Sequence, residues 1–233
     1  GLGGAGFPTS LKLGFDPKEK QPDFLIINGA ECEPYITSDY RCFMEEGEDV
    51  LEGVLLMLKY LGIPKCIIGI EKNKPKAIEK MAKLCEKHDN ITVKALKSSY
   101  PQGAEKALIF STTGRVVKEG TLPLASGCIV VNSSTAAFIA QYIRTGMPLV
   151  KRRITVDGNI VKKPSNFIVP VGMSIGEIVY HAELSDKPDR IILGGPMMGA
   201  CAFDPDYPLS KTNNAVLMFA DSPVYEPSEC IRC

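Results

Sequence analysis

Apolar positions over the first 150 residues alternate between two spacings. Short apolar runs at Phe24-Leu-Ile-Ile-Asn28, Cys66-Ile-Ile-Gly-Ile70, Ile91-Thr-Val-Lys-Ala-Leu96 and Cys128-Ile-Val-Val131 read as strands buried in a sheet. Between them, Val50, Leu51, Val54, Leu55, Leu58 and Leu61 recur at helical spacing. They predict a helix over 46–61, opened by Glu45, Glu46, Glu48 and Asp49 and stopped by Gly62 and Pro64. Asn73 as cap and Pro75 in the first turn predict a second helix, running to Lys87. A short helix is expected over 103–110. Another opens at Ser133 or Ser134, carries Ala136, Ala137, Ile139, Ala140 and Ile143, and ends at Gly146 and Pro148. Strands alternating with helices predict an α/β fold, a mostly parallel Rossmann-like sheet with helices on both faces. Ligands of such sheets bind outside the carboxyl ends of the strands.

The texture changes near Leu149. Arg153-Ile-Thr-Val-Asp-Gly-Asn-Ile-Val161 reads as a hairpin turning at Asp157-Gly158. Phe167 to Val171 is a further strand, Ser174 to Val179 starts a short helix, and Arg190 to Leu193 is a returning strand. This pattern describes a small α+β module over 151–199, distinct from the α/β domain over 1–150. The tail over 200–233 is rich in proline and polar residues and reads as a connector.

Composition removes several function classes. Of the 233 residues 45% are hydrophobic, enough for a sizeable core. Lys+Arg and Asp+Glu both number 27 with no basic stripe, which argues against nucleic acid as a partner. No apolar run approaches the roughly 20 residues of a membrane span, so no direct span is expected and any membrane link comes through partners or further sequence. The chain has no initiator Met and no signal peptide. Of the eight cysteines, five read as small buried hydrophobes, and Cys32 lies in a polar motif. Only Cys230 and Cys233, in Cys-Ile-Arg-Cys, have metal-ligand spacing. His88 and His181 read as surface residues, and no Ser/His/Asp or zinc arrangement is present.

Four segments can carry chemistry. Gly1-Leu-Gly-Gly-Ala-Gly-Phe-Pro-Thr-Ser-Leu-Lys12 is a glycine loop followed by a cation; it reads either as an anion nest or as a flexible terminus. Asn28-Gly-Ala-Glu-Cys-Glu-Pro-Tyr35 follows a strand and brings two carboxylates to its carboxyl end, as a ligand loop or a plain surface loop. Tyr100-Pro-Gln-Gly-Ala-Glu-Lys106 puts Glu105 at a helix start, where the dipole alone accounts for an acid. Val131-Asn-Ser-Ser-Thr135 offers capping serines, with Asn132 left unexplained by capping.

Taken together with Gly69-Ile-Glu-Lys-Asn-Lys-Pro75, Gly194-Gly-Pro-Met-Met-Gly199 and the closing Cys-Ile-Arg-Cys, these segments resemble the RnfC family, the C subunits of the Rnf electron-transport complexes. The glycine loop is also similar to that of the flavin-binding subunit of respiratory complex I. The resemblance implies non-covalent FMN, hydride exchange with NAD(H), and one-electron transfer through iron–sulfur clusters to or from ferredoxin. It also implies a β-grasp module of SLBB type over 151–199. By the same resemblance, Gly3, Gly4, Gly6 and Lys12 flank the FMN phosphate and ring. Asn28, Glu31, Gly103, Asn132 and Thr135 match flavin positions, and Phe7, Glu33 and Glu105 match NADH positions. No residue is assigned to acid–base or nucleophilic catalysis. Ala30, Tyr35 and Ala104 depart from the complex I pattern, towards Rnf.

The implied partners are other Rnf subunits, NADH and, indirectly, ferredoxin, in a peripheral position on the cytoplasmic face of the membrane. The rival implications are an Rnf-like reductase for cobalamin or amino-acid systems, and a scaffold with a vestigial flavin site. On this reading the chain is a piece that starts in its flavin loop and ends inside a cluster motif, so alone it is expected to hold FMN weakly and to be inactive. A 4Fe-4S cluster needs four thiolates, and Cys230 and Cys233 supply half. Iron and sulfide analysis after anaerobic reconstitution is expected to find a cluster in the longer protein and none in this chain. Stoichiometric iron in this chain would contradict that.

Overall fold

The computed structural model describes residues 1–3, 6–18, 20–220 and 228–229. Its first part runs α1 (Thr9–Leu13), β1 (Phe24–Gly29), α2 (Ser38–Glu45), α3 (Gly47–Leu61), β2 (Lys65–Glu71), α4 (Pro75–Cys85), β3 (Ile91–Leu96), α5 (Glu105–Thr113), β4 (Cys128–Asn132) and α6 (Ser133–Thr145). The four strands form a parallel sheet in the order β3-β2-β1-β4. Side chains alternate across β1. Leu25 and Ile27 pack with Val50, Val54, Met81 and Ala136 from α3, α4 and α6, whereas Ile26 packs with Leu108 and Ile109 of α5 on the other face. Both faces are therefore buried, which is why these strands read as unbroken apolar runs. The expected helix-flanked parallel sheet is the observed one.

The second part contains β5 (Lys151–Asp157), β6 (Ser165–Pro170), α7 (Ile175–His181), β7 (Arg190–Leu193), β8 (Ala200–Ala202) and β9 (Ala215–Phe219). They form a separate mixed sheet, ordered β6-β5-β9-β7-β8, with β5 and β9 parallel at its centre. One face packs under α7 through Ile154, Val156, Ile175, Ile178, Val216 and Met218. The opposite face, with Ala215 and Leu217, receives Ile36 from the loop after β1. Ser174 and Glu177 close a reciprocal capping box on α7, as a serine three residues before a glutamate allows.

Several expectations change. The tail read as a connector supplies β8 and the central strand β9; a five-residue apolar run, Ala215-Val-Leu-Met-Phe219, was outweighed by the prolines around it. Asp157-Gly158 is not the turn of a two-residue hairpin. β5 pairs instead with β6, while Ile160 and Val161 leave the ladder to enter the second core. Gly158 is needed for space as well as conformation: at φ 136° a Cβ would strike the backbone of Met218. Asn73 does not cap α4, whose N-cap position is Lys74 and which starts on Pro75. Helices α1 and α2 are additional. Of the cysteines, Cys42, Cys66, Cys85 and Cys128 are buried as expected, but Cys201 is exposed on the edge strand β8.

Helices α3 and α6 touch at Gly53, where an added Cβ would run into the backbone carbonyl of Ala136. That contact has no flexible partner that can give way. Gly53→Val is expected to lower unfolding free energy in urea by about 1–3 kcal/mol or more through overpacking. Unchanged stability would show that the helices move apart freely.

Candidate functional site

The carboxyl ends of β1 and β4 lie side by side, with Asn28 registered against Asn132. Two helices begin there, α2 and α6, and each presents amide groups without intrahelical partners. Those of α6 are served by Asn132, whose Oδ1 accepts from the Ser134 amide at 3.0 Å. Capping therefore does account for Asn132, contrary to the sequence expectation. Its Nδ2 donates to both oxygens of Asp39 at 3.2 Å, and the Ser133 hydroxyl donates to Asp39 at 2.9 Å. Those of α2 are served from outside the helix by Glu31. Its carboxylate accepts from the Asp39 amide at 2.7 Å and the Tyr40 amide at 3.3 Å, with the Lys74 ammonium 3.3 Å away.

Burial dominates the titration of this pair. Glu31 is pushed up to about 7 by burial and by the Asp39 charge, against the pull of Lys74 and the two amides. Asp39 is raised too, by burial, although the Ser133 and Asn132 hydrogen bonds and the charge of Arg152 oppose the shift. Arg152 comes from β5, and its own burial brings it down to about 10. Asp39, Lys74 and Arg152 have no role assigned by the sequence, although Lys74 lies inside the Gly69–Pro75 motif. Asp39 lies four residues beyond the acidic motif in an unforeseen helix, and Arg152 belongs to the other sheet.

The glycine loop joins this edge. The Leu2 amide donates to Thr135 Oγ1 at 2.9 Å, buried, and the Gly6 amide donates to the Gly3 carbonyl at 2.8 Å. A Cβ on Gly3 would sit 3.6 Å from the Asn132 Cβ, so the loop passes directly over the start of α6. Gly6 has φ 62°, a left-handed conformation that suits glycine, and abuts Thr212. Lys12 donates to the Val130 carbonyl at 3.0 Å, pairs with Glu105, and lies 5.7 Å from the Phe7 ring centroid. Gly4 and the cysteines Cys230 and Cys233 lie outside the described residues.

Asn28 bridges inward: its Nδ2 donates to the Gly103 carbonyl at 2.9 Å and its Oδ1 accepts from the Ala30 amide at 3.1 Å. Gly103 is glycine for space, since a Cβ would fall 2.5 Å from the Ala30 carbonyl and 3.2 Å from Cys32 Sγ. Glu33 stands apart from these groups and contacts the second sheet, its Oε2 accepting from the Met197 amide at 2.9 Å. The predicted residues thus form one edge with three parts: Gly3, Gly6, Asn132 and Thr135; Lys12, Phe7 and Glu105; and Asn28, Glu31 and Gly103. Two clefts of about 300 and 530 Å³ lie instead at the amino ends of β2 and β3 and contain none of these residues.

The edge suits a flavin mononucleotide. Closely approaching glycine backbone and one ammonium match a phosphate, and two asparagine amides match the polar rim of a flavin ring. Among the described residues no group of three or more His, Cys, Asp or Glu can hold a metal ion.

The raised Glu31 carboxyl fixes a pH dependence. Below its ordinary value of 4.5 it is protonated in folded and unfolded chains alike and costs nothing. As pH rises towards about 7 the unfolded chain ionises first, so stability is progressively lost, and the loss is complete above that value. The penalty is on the order of a few kcal/mol. Glu31→Gln removes the titration. Urea unfolding is expected to show a shallower fall in stability from pH 5 to about 7.5 for the variant than for the parent; parallel curves would contradict the assignment.

Comparison with known proteins gives the family. Residues 1–141 match the family model described as the Nuo51 FMN-binding domain. Over its whole length the chain is 40% identical to the C subunit of the Na(+)-translocating ferredoxin:NAD(+) oxidoreductase complex of Acetobacterium woodii, covering 53% of that protein. It is 41% identical to the proton-translocating counterpart of Clostridium ljungdahlii, covering 51% of it. It is also 37% identical to the C subunit of the ion-translocating oxidoreductase complex of Rhodobacter capsulatus, covering 46%. The chain therefore spans about half the length of these relatives. Its fold matches an NAD+-reducing [NiFe]-hydrogenase in the H2-reduced state with a TM-score of 0.76 at 22% identity, over 94% of this chain and 44% of that one. The resemblance to the RnfC family extends through all 233 residues, and by its first 141 the chain belongs to the Nuo51 FMN-binding domain family.

Proposed function

We propose that this chain is the flavin- and NAD(H)-binding part of an electron-transfer subunit in an ion-translocating ferredoxin:NAD oxidoreductase complex. The observation that carries the reading is the convergence of the glycine loop, Lys12 and Asn132 on one carboxyl edge, with Leu2 tied to Thr135 across it. When bound, FMN accepts two electrons from a nicotinamide and passes them on singly.

The chain's residues supply binding and electrostatics. Gly3 and Gly4 offer backbone amides to the phosphate, Gly6 shapes the loop around it by closing onto the Gly3 carbonyl, and Lys12 neutralises it. Asn28 and Asn132 meet the ring's polar edge, while Glu31, Gly103 and Thr135 hold the backbone around it in place. Phe7, Glu33 and Glu105 face the dinucleotide, the carboxylates accepting from its hydroxyl or amide groups. The parallel centre and hairpin of the second sheet support a β-grasp module of SLBB type. Cys230 and Cys233 are two of four thiolates for a 4Fe-4S cluster whose remaining ligands belong to the longer protein. No helix among the described residues is long and apolar enough to cross a membrane. Membrane association on the cytoplasmic face would then come through the other subunits, and ferredoxin would exchange electrons with the complex rather than with this chain.

The test uses the full-length protein loaded with FMN. A charge-assisted contact is worth ~1.5–3 kcal/mol, so Lys12→Ala is expected to weaken FMN binding about tenfold or more. Glu105→Ala, which also releases Lys12 from its ion pair, is expected to raise the KM for NADH by a larger factor than it changes FMN affinity. A folded full-length protein without affinity for FMN would overturn the reading.

A further inference from the structure

The turn Gly194-Gly-Pro-Met-Met-Gly199, between β7 and β8, carries three glycines, and they have different reasons to be there. Gly194 has φ 102°, a conformation in which other residues are strained. A Cβ on Gly199 would collide with the turn's own backbone, 2.5 Å from the Gly195 carbonyl and 2.9 Å from that of Leu193. Both are needed for the turn to exist. Gly195 has no positive φ. The three atoms nearest to an added Cβ there all belong to Glu33: Oε2, Cδ and, at 2.7 Å, Cβ. Glycine at 195 makes space for a carboxylate 162 residues earlier in the chain. The same turn supplies the donor for that carboxylate, the Met197 amide at 2.9 Å from Oε2. The remaining oxygen, Oε1, is buried and has no donor among the described residues. A buried acceptor left in this way costs free energy until a donor reaches it, and a ligand group that does so meets little competing water.

We propose that the Gly194–Gly199 turn is a positioning clamp for Glu33, which makes the second sheet part of the dinucleotide site. The turn fixes one carboxylate oxygen through Met197 and leaves the other to a hydroxyl or amide donor of the bound NAD(H). This rests on the reading of Glu33 as a dinucleotide residue. The clamp acts through Glu33, to which its Met197 amide donates, so its effect is expected on the dinucleotide rather than on FMN.

The test measures NAD+ affinity by calorimetry in the full-length FMN-loaded protein, with FMN content and melting temperature as controls. Glu33→Ala, Glu33→Gly, Gly195→Ala and the double variant Glu33→Gly with Gly195→Ala are compared. The clamp predicts that Gly195→Ala weakens NAD+ binding about as much as Glu33→Ala does, roughly tenfold, with FMN content unchanged. It also predicts that the double variant is no weaker than Glu33→Gly alone, because with the whole Glu33 side chain gone, its Cβ included, the methyl has nothing to displace. Full affinity in Gly195→Ala, or losses that add in the double variant, would overturn the clamp while leaving the dinucleotide reading in place. Full affinity in Glu33→Ala would overturn both. Should Gly195→Ala fail to fold, the double variant decides the matter: it folds and binds like Glu33→Gly if Glu33 is what the methyl strikes, and fails likewise if it is not.

Discussion

The unpaired amides at the starts of α2 and α6 are the constraint around which the site is arranged. A parallel sheet delivers both helix starts to the same edge, beside β1 and β4. Each needs acceptors, because buried amides without partners are costly. Asn132 serves α6 from its own cap position, and Glu31 serves α2 from the preceding loop. Asp39 then ties the two together through Asn132 and Ser133. The result is a dense, mostly buried set of acids, held by Lys74 on one side and Arg152 on the other. An edge tied together in this way suits the positioning of a planar ring and a phosphate.

The loop from Ala30 to Thr37 belongs to both sheets. Its amino end carries Glu31 under the helix starts. Its carboxyl end rests on the second sheet, where Ile36 enters the small apolar cluster, Tyr35 meets Phe219 edge-on at 5.3 Å, and the Thr37 amide donates to Thr155. Arg153 of β5 adds ion pairs to Glu45 and Glu46 at the end of α2. The second sheet thus braces the loop that holds Glu31 and Glu33, and is more than an appendage to the flavin-binding fold.

Much of this was legible in the sequence because the parallel strands are buried on both faces and their apolar runs are unambiguous. The candidate residues were found through motifs at strand ends, and the structure gathers most of them on one edge. What was missed shares a cause. Asp39 and Arg152 act across long sequence separations, and nothing local marks their roles; Met197 lies in the Gly194–Gly199 motif, but its partner Glu33 is 164 residues away. β9 was hidden because its neighbours Thr212, Asn213 and Asn214 and the flanking prolines give the tail a connector's composition, whereas a central strand needs only five apolar residues. The hairpin was misplaced because Ile160 and Val161 look like a return strand yet serve as core plugs.

The most direct measurement is an experimental structure of the FMN-loaded full-length protein. The account predicts the flavin at the carboxyl edge of β1 and β4, its phosphate against Gly3 to Gly6 and Lys12 and its ring beside Asn28 and Asn132. A flavin seated in the cleft at the amino ends of β2 and β3, or anywhere else away from Lys12 and Asn132, would contradict it.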